Sequence, residues 1–184
     1  MVSKQLVCII PARGGSKGIK NKNLEKINGK SLIARTIEVY KNSKYIDEVY
    51  VSSDSKKILE EAEQFGAKSI LRHKNISTDQ SSSELAILDF LVKGTVDNFD
   101  NFIFAQCTSP LITAQDIDSA VSYYFDNNFD SLFSSSVFKG FIWRQQENMS
   151  CYGINHDEMK NRKRRQDIDL EIIENGGFYI INKE

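Results

Sequence analysis

Apolar residues follow two alternating periods along the chain. Residues 6–10 form a short unbroken apolar run that ends at Pro11 and a glycine-rich stretch, the pattern of a buried strand. Over 31–40 the apolar positions Leu32, Ile33, Ile37 and Tyr40 recur at helical spacing, with Ser31 placed to cap the helix. Residues 49–51 read as a second strand core. A helix follows in which Ile58, Leu59, Ala62 and Phe65 share a face, capped by Ser55 and ended by Gly66. Residues 68–71 predict a third short strand, 85–92 a helix, 102–105 a strand and 114–125 a further helix. Residues 132–137 and 178–181 predict two more strands.

Repeated strand, helix, strand predicts an α/β protein: a three-layer, Rossmann-like, mostly parallel sheet with helices on both faces. Such sheets bind ligands beyond the C-terminal ends of their strands, so functional residues should follow strands directly. The chain shows no internal repeat, low-complexity tract or linker, which predicts one domain over 1–184. The last strand runs almost to Glu184, so a further C-terminal segment is expected to be missing.

The chain has 184 residues, 40% of them hydrophobic, and a net charge of −1. That balance gives no global reason to expect nucleic acid or a membrane surface, so anions must be bound by local clusters. No apolar run is long enough to span a bilayer. The cysteines Cys8, Cys107 and Cys151 are widely spaced and odd in number, without metal-ligand spacing, which predicts reduced thiols in a cytoplasmic protein.

The densest cluster is PARGGSKGIKNKN, 11–23, directly after the first strand. Gly14, Gly15 and Gly18 permit close approach of backbone amides to a ligand. Arg13, Lys17, Lys20 and Lys22 add four positive charges, and a triphosphate needs such a cradle. Neither GxxxxGK[ST] nor GxGxxG is present, which excludes a Walker loop and a dinucleotide fingerprint. After the third strand, LRHKNISTDQSSSE places Arg72 at the strand end and leads into a helix start at Ser81 to Ser83. Helix N-termini supply donors suited to reading a base. A plain serine-capped loop explains the same residues. After the fourth strand, AQCTSPLIT puts Gln106 at the strand end, with Thr113 and Asp116 spaced to cap the next helix. Later come FIW at 141–143, NRKRRQD at 161–167 and ENGGFYI at 174–180. The basic run 162–165 reads in isolation as a nucleic-acid patch, against the chain's overall charge.

Taken together and in order, these motifs resemble those of the acylneuraminate cytidylyltransferases, the CMP-sialic acid synthetases, in their animal-type branch. The resemblance implies a fold of the nucleotide-diphospho-sugar transferase type and transfer of CMP from CTP to an acidic 2-keto sugar, sialic acid or its deaminated relative. It assigns the nucleotide to Arg13, Gly14, Gly15, Lys17, Lys22, Asn23, Arg72, Ser81 and Ser83. It assigns the sugar acid to Gln106, Arg165 and Gln166, and catalytic roles to Arg164, Arg13, Lys22 and Gln106. It further implies Mg²⁺ arriving with CTP, and a homodimer. The acidic D-x-D metal motif expected after the last strand is absent up to Glu184. Asp54 is the remaining metal candidate, although a cap for the following helix explains it as well. Asp79 is expected to shape its loop, and His73 and His156 to lie exposed in loops, which leaves no general base identified.

Two rival readings stay open. One is a cytidylyltransferase for legionaminate, pseudaminate or 3-deoxy-octulosonate. The other is a nucleotide-binding domain without turnover.

Overall fold

A computed structural model describes residues 5–16, 18–78, 80–93, 99–157 and 159–183. In chain order the elements are β1 (Leu6–Pro11), β2 (Lys26–Ile27), β3 (Lys30–Ser31), α1 (Leu32–Lys41), β4 (Glu48–Ser53) and α2 (Lys56–Gln64). They continue with β5 (Lys68–Leu71), α3 (Ser83–Val92), β6 (Asn101–Ala105), α4 (Ala114–Asp126), β7 (Ser131–Phe138), β8 (Trp143–Gln145), β9 (Cys151–Gly153) and β10 (Glu171–Asn182). Two compact units result. The first is Met1–Ser134 with Gly176–Glu184, and the second is Ser135–Asn175.

The first unit is built on a six-stranded sheet in the order β5-β4-β1-β6-β10-β7. β1 runs parallel to β4 and β6, and β4 parallel to β5, whereas β10 pairs antiparallel with β6. The mostly parallel α/β sheet expected from the pattern is therefore present. β1 lies inside it, and its five residues from Leu6 to Ile10 are fully buried. Alternation sorts them: Leu6, Cys8 and Ile10 join a core with Ile33, Ile37, Ile58 and Val121 of α1, α2 and α4. Val7 and Ile9 face a second core with Phe90 of α3 and the rings of Tyr50, Phe99, Phe102 and Phe104. Helices thus cover both faces. Each fully buried aliphatic side chain contributes about 1.5–3 kcal/mol, so β1 anchors the strand ends that carry the site.

Local signals set the helix ends. Ser31 Oγ accepts from Ala34 N at 3.1 Å and donates to Glu61 of α2. Thr113 and Asp116 form a reciprocal capping box on α4, Asp116 N to Thr113 Oγ1 at 3.2 Å and Thr113 N to Asp116 Oδ2 at 2.9 Å. Gly66 ends α2 in the left-handed region, φ +78°. Ser55 occupies the N-cap position of α2 but makes no side-chain capping bond.

The second unit holds the hairpin β8–β9 and the short 3-10 helix Arg165–Asp167. The His156 ring sits edge-on to Phe141 at 4.8 Å and to Trp143 at 4.6 Å. The expectation of an exposed loop histidine is therefore corrected for His156, because these rings cover it; His73 is exposed as expected. No helix among the described residues is long and apolar enough to cross a membrane.

Candidate active site

The parallel strands deliver their following loops to one cleft of about 540 Å³ in the first unit. After β1 come Arg13, Ser16, Gly18 and Ile19. The short 3-10 helix Lys22–Leu24 adds Lys22 and Asn23. β5 leads into Arg72 and the loop Ile76 to Thr78, and the start of α3 brings Ser81, Ser82 and Ser83. β6 supplies Phe104 and, beyond its end, Gln106, Cys107 and Thr108. Seven residues that the resemblance assigns to the site thus share one cleft, Arg13, Lys22, Asn23, Arg72, Ser81, Ser83 and Gln106, together with Gly18 of the same loop. Lys17 and Asp79 lie outside the described residues.

Gly14 plays a packing role. A Cβ there would lie 2.8 Å from Ser55 Cβ, closer than side chains tolerate, whereas one on Gly15 or Gly18 would meet nothing within 4 Å. Gly14 N donates to Asp54 Oδ1 at 2.8 Å. Asp54 is therefore engaged by the loop after β1 and makes no cap on α2, which corrects the capping expectation. Asn23 is buried and donates Nδ2 to Arg13 O at 3.1 Å, so it staples the same loop to the 3-10 turn.

Arg72 is 6% exposed. Its Nε donates to Ser77 Oγ at 2.9 Å, and Ser77 Oγ donates onward to His73 O at 3.0 Å. Burial draws the Arg72 pKa down from its ordinary value; Asp54 and Asp89 push it back up, and Arg13 lowers it further. Two guanidinium groups thus repel each other across one cleft, a repulsion that a bound polyanion relieves. Ser81 Oγ accepts from Thr78 N at 3.1 Å, so this hydroxyl closes the turn before α3. Ser82, the N-cap of α3, makes no side-chain cap bond. Ser82 and Ser83 at the start of α3 line the cleft, and the Glu84 carboxylate is engaged by Ser82 and by its own backbone N–H.

On the opposite wall, Gln106 N donates to Gly177 O at 3.1 Å, and Gln106 Oε1 accepts from Thr108 Oγ1 at 3.3 Å. Cys107 beside it is buried. Burial pushes its thiol up to about 12, although a bond with Thr36 and the charge of Lys22 pull the other way. A thiol so held is no nucleophile at neutral pH. Sequence reasoning missed Ser77, whose only signal was a hydroxyl five residues past a strand-end arginine, and Phe104, an ordinary strand residue.

Arg164, Arg165 and Gln166 belong to the second unit. Arg164 forms a two-pronged pair with Asp167, Nε to Oδ2 at 2.7 Å and Nη2 to Oδ1 at 3.3 Å. Arg165 Nε donates to Lys139 O at 3.2 Å. Gln166, between Arg165 and Asp167 in the 3-10 helix, is exposed.

A family profile described as cytidylyltransferase matches residues 7–165. The chain belongs to the cytidylyltransferase family. Among curated relatives, it is 35% identical to the pseudaminic acid cytidylyltransferase of Campylobacter jejuni over 94% of this chain and 76% of that protein. It is 34% identical to the N-acylneuraminate cytidylyltransferase of Streptococcus agalactiae over 97% of this chain but only 43% of that protein. Among solved structures, a CMP:2-keto-3-deoxy-manno-octonic acid synthetase complexed with CTP superposes at a TM-score of 0.72 with 19% identity, over 97% of this chain and 74% of that one. The 4-diphosphocytidyl-2C-methyl-D-erythritol synthase of Anaerococcus prevotii gives 0.68 with 13% identity, over 98% and 72%. Both structural likenesses establish the shared fold.

The described residues of this cytidylyltransferase contain no group of three His, Cys, Asp or Glu side chains that could hold a metal ion. Asp54 meets Gly14 N through Oδ1, and a single carboxylate is not by itself a resident Mg²⁺ cage.

Proposed function

We propose that this cytidylyltransferase moves CMP from CTP onto the anomeric hydroxyl of an acidic 2-keto sugar of the sialic-acid type. The sugar oxygen attacks the α-phosphorus, the bond from that phosphorus to the β-phosphate oxygen breaks, and pyrophosphate leaves. The observation that carries this reading is the single cleft at the strand ends. It gathers Arg13, Lys22 and Arg72 with the start of α3 on one side and Gln106 on the other. Fixed cations stabilise charge as it builds on phosphoryl oxygens. Arg13, Lys17 and Lys22, with the amide of Gly15, serve the triphosphate and the leaving pyrophosphate, while Gly14, its amide held by Asp54, shapes the loop that presents them. Asn23 keeps their loop in place. Arg72, Ser81 and Ser83 read the cytosine side.

Gln106, Arg165 and Gln166 are assigned to the sugar acid, and Arg164 to organising the reacting centre. Guanidinium groups suit a carboxylate through paired hydrogen bonds. Mg²⁺ is expected to travel with the phosphates of CTP. The working form is proposed to be a homodimer in the cytoplasm, where its three free thiols stay reduced.

Pseudaminate is a second reading for the sugar. The pseudaminic acid enzyme is matched over 76% of its length, whereas the N-acylneuraminate enzyme is matched over 43%. Pyrophosphate release from CTP, followed with sialic, deaminated sialic, pseudaminic, legionaminic and 3-deoxy-octulosonic acids, tests both readings. Turnover with one of the first two supports the main reading, turnover with pseudaminate alone supports the second, and release with none of the five sinks both. Arg13→Ala should lower CTP affinity or turnover at least roughly tenfold, since a charge-assisted bond is worth about 1.5–3 kcal/mol.

A further inference from the structure

Three adjacent strands, β5, β4 and β1, end side by side, and β4 is the middle one. The loop after β1 carries Gly14, and Asp54 and Arg72 are the first residues past the ends of β4 and β5. To one side, Asp54 Oδ1 accepts the Gly14 N–H at 2.8 Å. To the other, β5 pairs with β4 so that Leu71 stands beside Ser53, and Arg72 N continues the ladder to Ser53 O at 2.9 Å. The next residue of β5 is thereby set next to the next residue of β4, Arg72 beside Asp54.

We propose that Asp54 is a positioning residue that couples the two sides of the nucleotide cleft, tethering the phosphate loop through Gly14 while giving the buried Arg72 its counter-charge. This rests on the reading above of Arg72 as base-side and the loop after β1 as phosphate-side.

The need for such a counter-charge follows from Arg72 itself. Its guanidinium is buried, and Nε is held by Ser77, a neutral hydroxyl. Asp54 is the leading group that restores its pKa against burial. Asp89 acts in the same direction, but its carboxylate already pairs with Lys93 at 2.6 Å. Arg13, which lines the same cleft, pushes Arg72 the other way. A carboxylate on the middle strand is the only arrangement in which one side chain can face both flanking loops, because neither β1 nor β5 has the other as a neighbour.

The two halves of this role separate by substitution. Asp54→Asn keeps an oxygen that accepts the Gly14 N–H and removes the charge. Asp54→Ala removes both. Calorimetric titrations use tripolyphosphate, CTP and ATP as probes, in EDTA and again with MgCl₂. In EDTA, Asp54→Asn should bind tripolyphosphate as well as wild type or more tightly, because the cleft becomes more positive. Its preference for CTP over ATP should fall roughly fivefold, the scale of one orienting hydrogen bond. Asp54→Ala should lose affinity for tripolyphosphate as well. If Asp54→Ala does not fold, Asp54→Asn carries the test alone. An Asp54→Asn defect confined to the MgCl₂ titrations would make Asp54 a metal ligand and overturn the proposal. Full retention of the CTP preference in Asp54→Asn would also overturn it. Arg72→Ala is the control. If it keeps the CTP preference, the reading of Arg72 fails and takes the coupling with it. If it loses the preference while Asp54→Asn keeps it, the coupling alone fails.

Discussion

Gly176 stands against the side-chain amide of Gln106: a Cβ built on Gly176 would lie 3.8 Å from Gln106 Nε2 and 3.9 Å from Oε1. The contact distance is ordinary, but Gly176 has φ +67°, where a side chain is strained by roughly 1–2 kcal/mol. The next residue, Gly177, gives its carbonyl to Gln106 N and takes Ser134 Oγ on its own N–H at 3.1 Å. Gln106 is therefore framed by β10 as well as by its own strand.

Gly176→Ala should lower the melting temperature by about 2–4 °C for each kcal/mol of strain in a chain of this size. If Gln106 serves the sugar acid, the same substitution should raise the KM for the sugar and leave the KM for CTP unchanged. Initial-rate kinetics with each substrate varied in turn checks this. Equal changes in both KM values would mean that Gly176 matters to the fold only.

The glycines of the phosphate loop are not equivalent. Gly14→Ala must push the loop away from Ser55 and break the bond from Gly14 N to Asp54, whereas Gly15→Ala and Gly18→Ala find open space. CTP affinity should fall about tenfold in Gly14→Ala, the worth of one charge-assisted bond. It should change less than about twofold in Gly15→Ala unless the ligand itself occupies that space. Titration of the three variants side by side decides. Equal losses at 14 and 15 would place the ligand, and not Ser55, against both.

How far these relationships could be read beforehand depends on their range along the chain. β1 and β4 announce themselves as apolar runs, and the Thr113–Asp116 capping box is a three-residue spacing, so both were readable. The strand ends carrying Arg13, Arg72 and Gln106 followed from them, because a parallel sheet sends successive loops to one edge. The bond between Gly14 and Asp54 spans 40 residues and depends on which strands are neighbours, which no local pattern encodes. β10 begins at Glu171, well before the apolar stretch at 178–181; Ile172 and Ile173 near its start are exposed and flanked by Glu171, Glu174 and Asn175, so no sustained apolar run marks it. Its antiparallel direction left no trace in the alternation either. β8 and β9 are three residues each, too short for a period to register.

The cysteines separate cleanly by environment. Cys8 and Cys107 are buried, and burial raises both thiols, that of Cys8 well above its ordinary value and that of Cys107 to about 12. Cys151 is exposed. A thiol reagent such as Ellman's should therefore titrate Cys151 quickly in the native chain, and all three cysteines after denaturation. Rapid native reaction at Cys107, located by peptide mapping, would mean that the floor of the cleft opens.

At the opposite end of the sheet, Glu48 accepts from both Tyr50 Oη and Lys68 Nζ. The bond from Lys68, then that from Tyr50, holds the Glu48 carboxyl below its ordinary value of 4.5. A depressed carboxylate pKa adds stability that is present above the unfolded value and lost as pH falls through the folded one. The bond to Glu48 raises Lys68 above 10.5, and that stability is present below the unfolded value and lost as pH rises through the folded one. Tyr50 is also raised, chiefly by burial, and its contribution disappears in the same alkaline direction. The three groups therefore support the fold on a plateau between the acid and alkaline limits. Glu48→Gln should melt several degrees below wild type near neutral pH. The gap should close only as pH falls through the lowered folded value of Glu48, where wild type also loses the charge, and narrow again on the alkaline side as Lys68 loses its proton. Thermal melts of both proteins across this range check the assignment. A gap independent of pH would mean that Glu48 contributes packing and not charge.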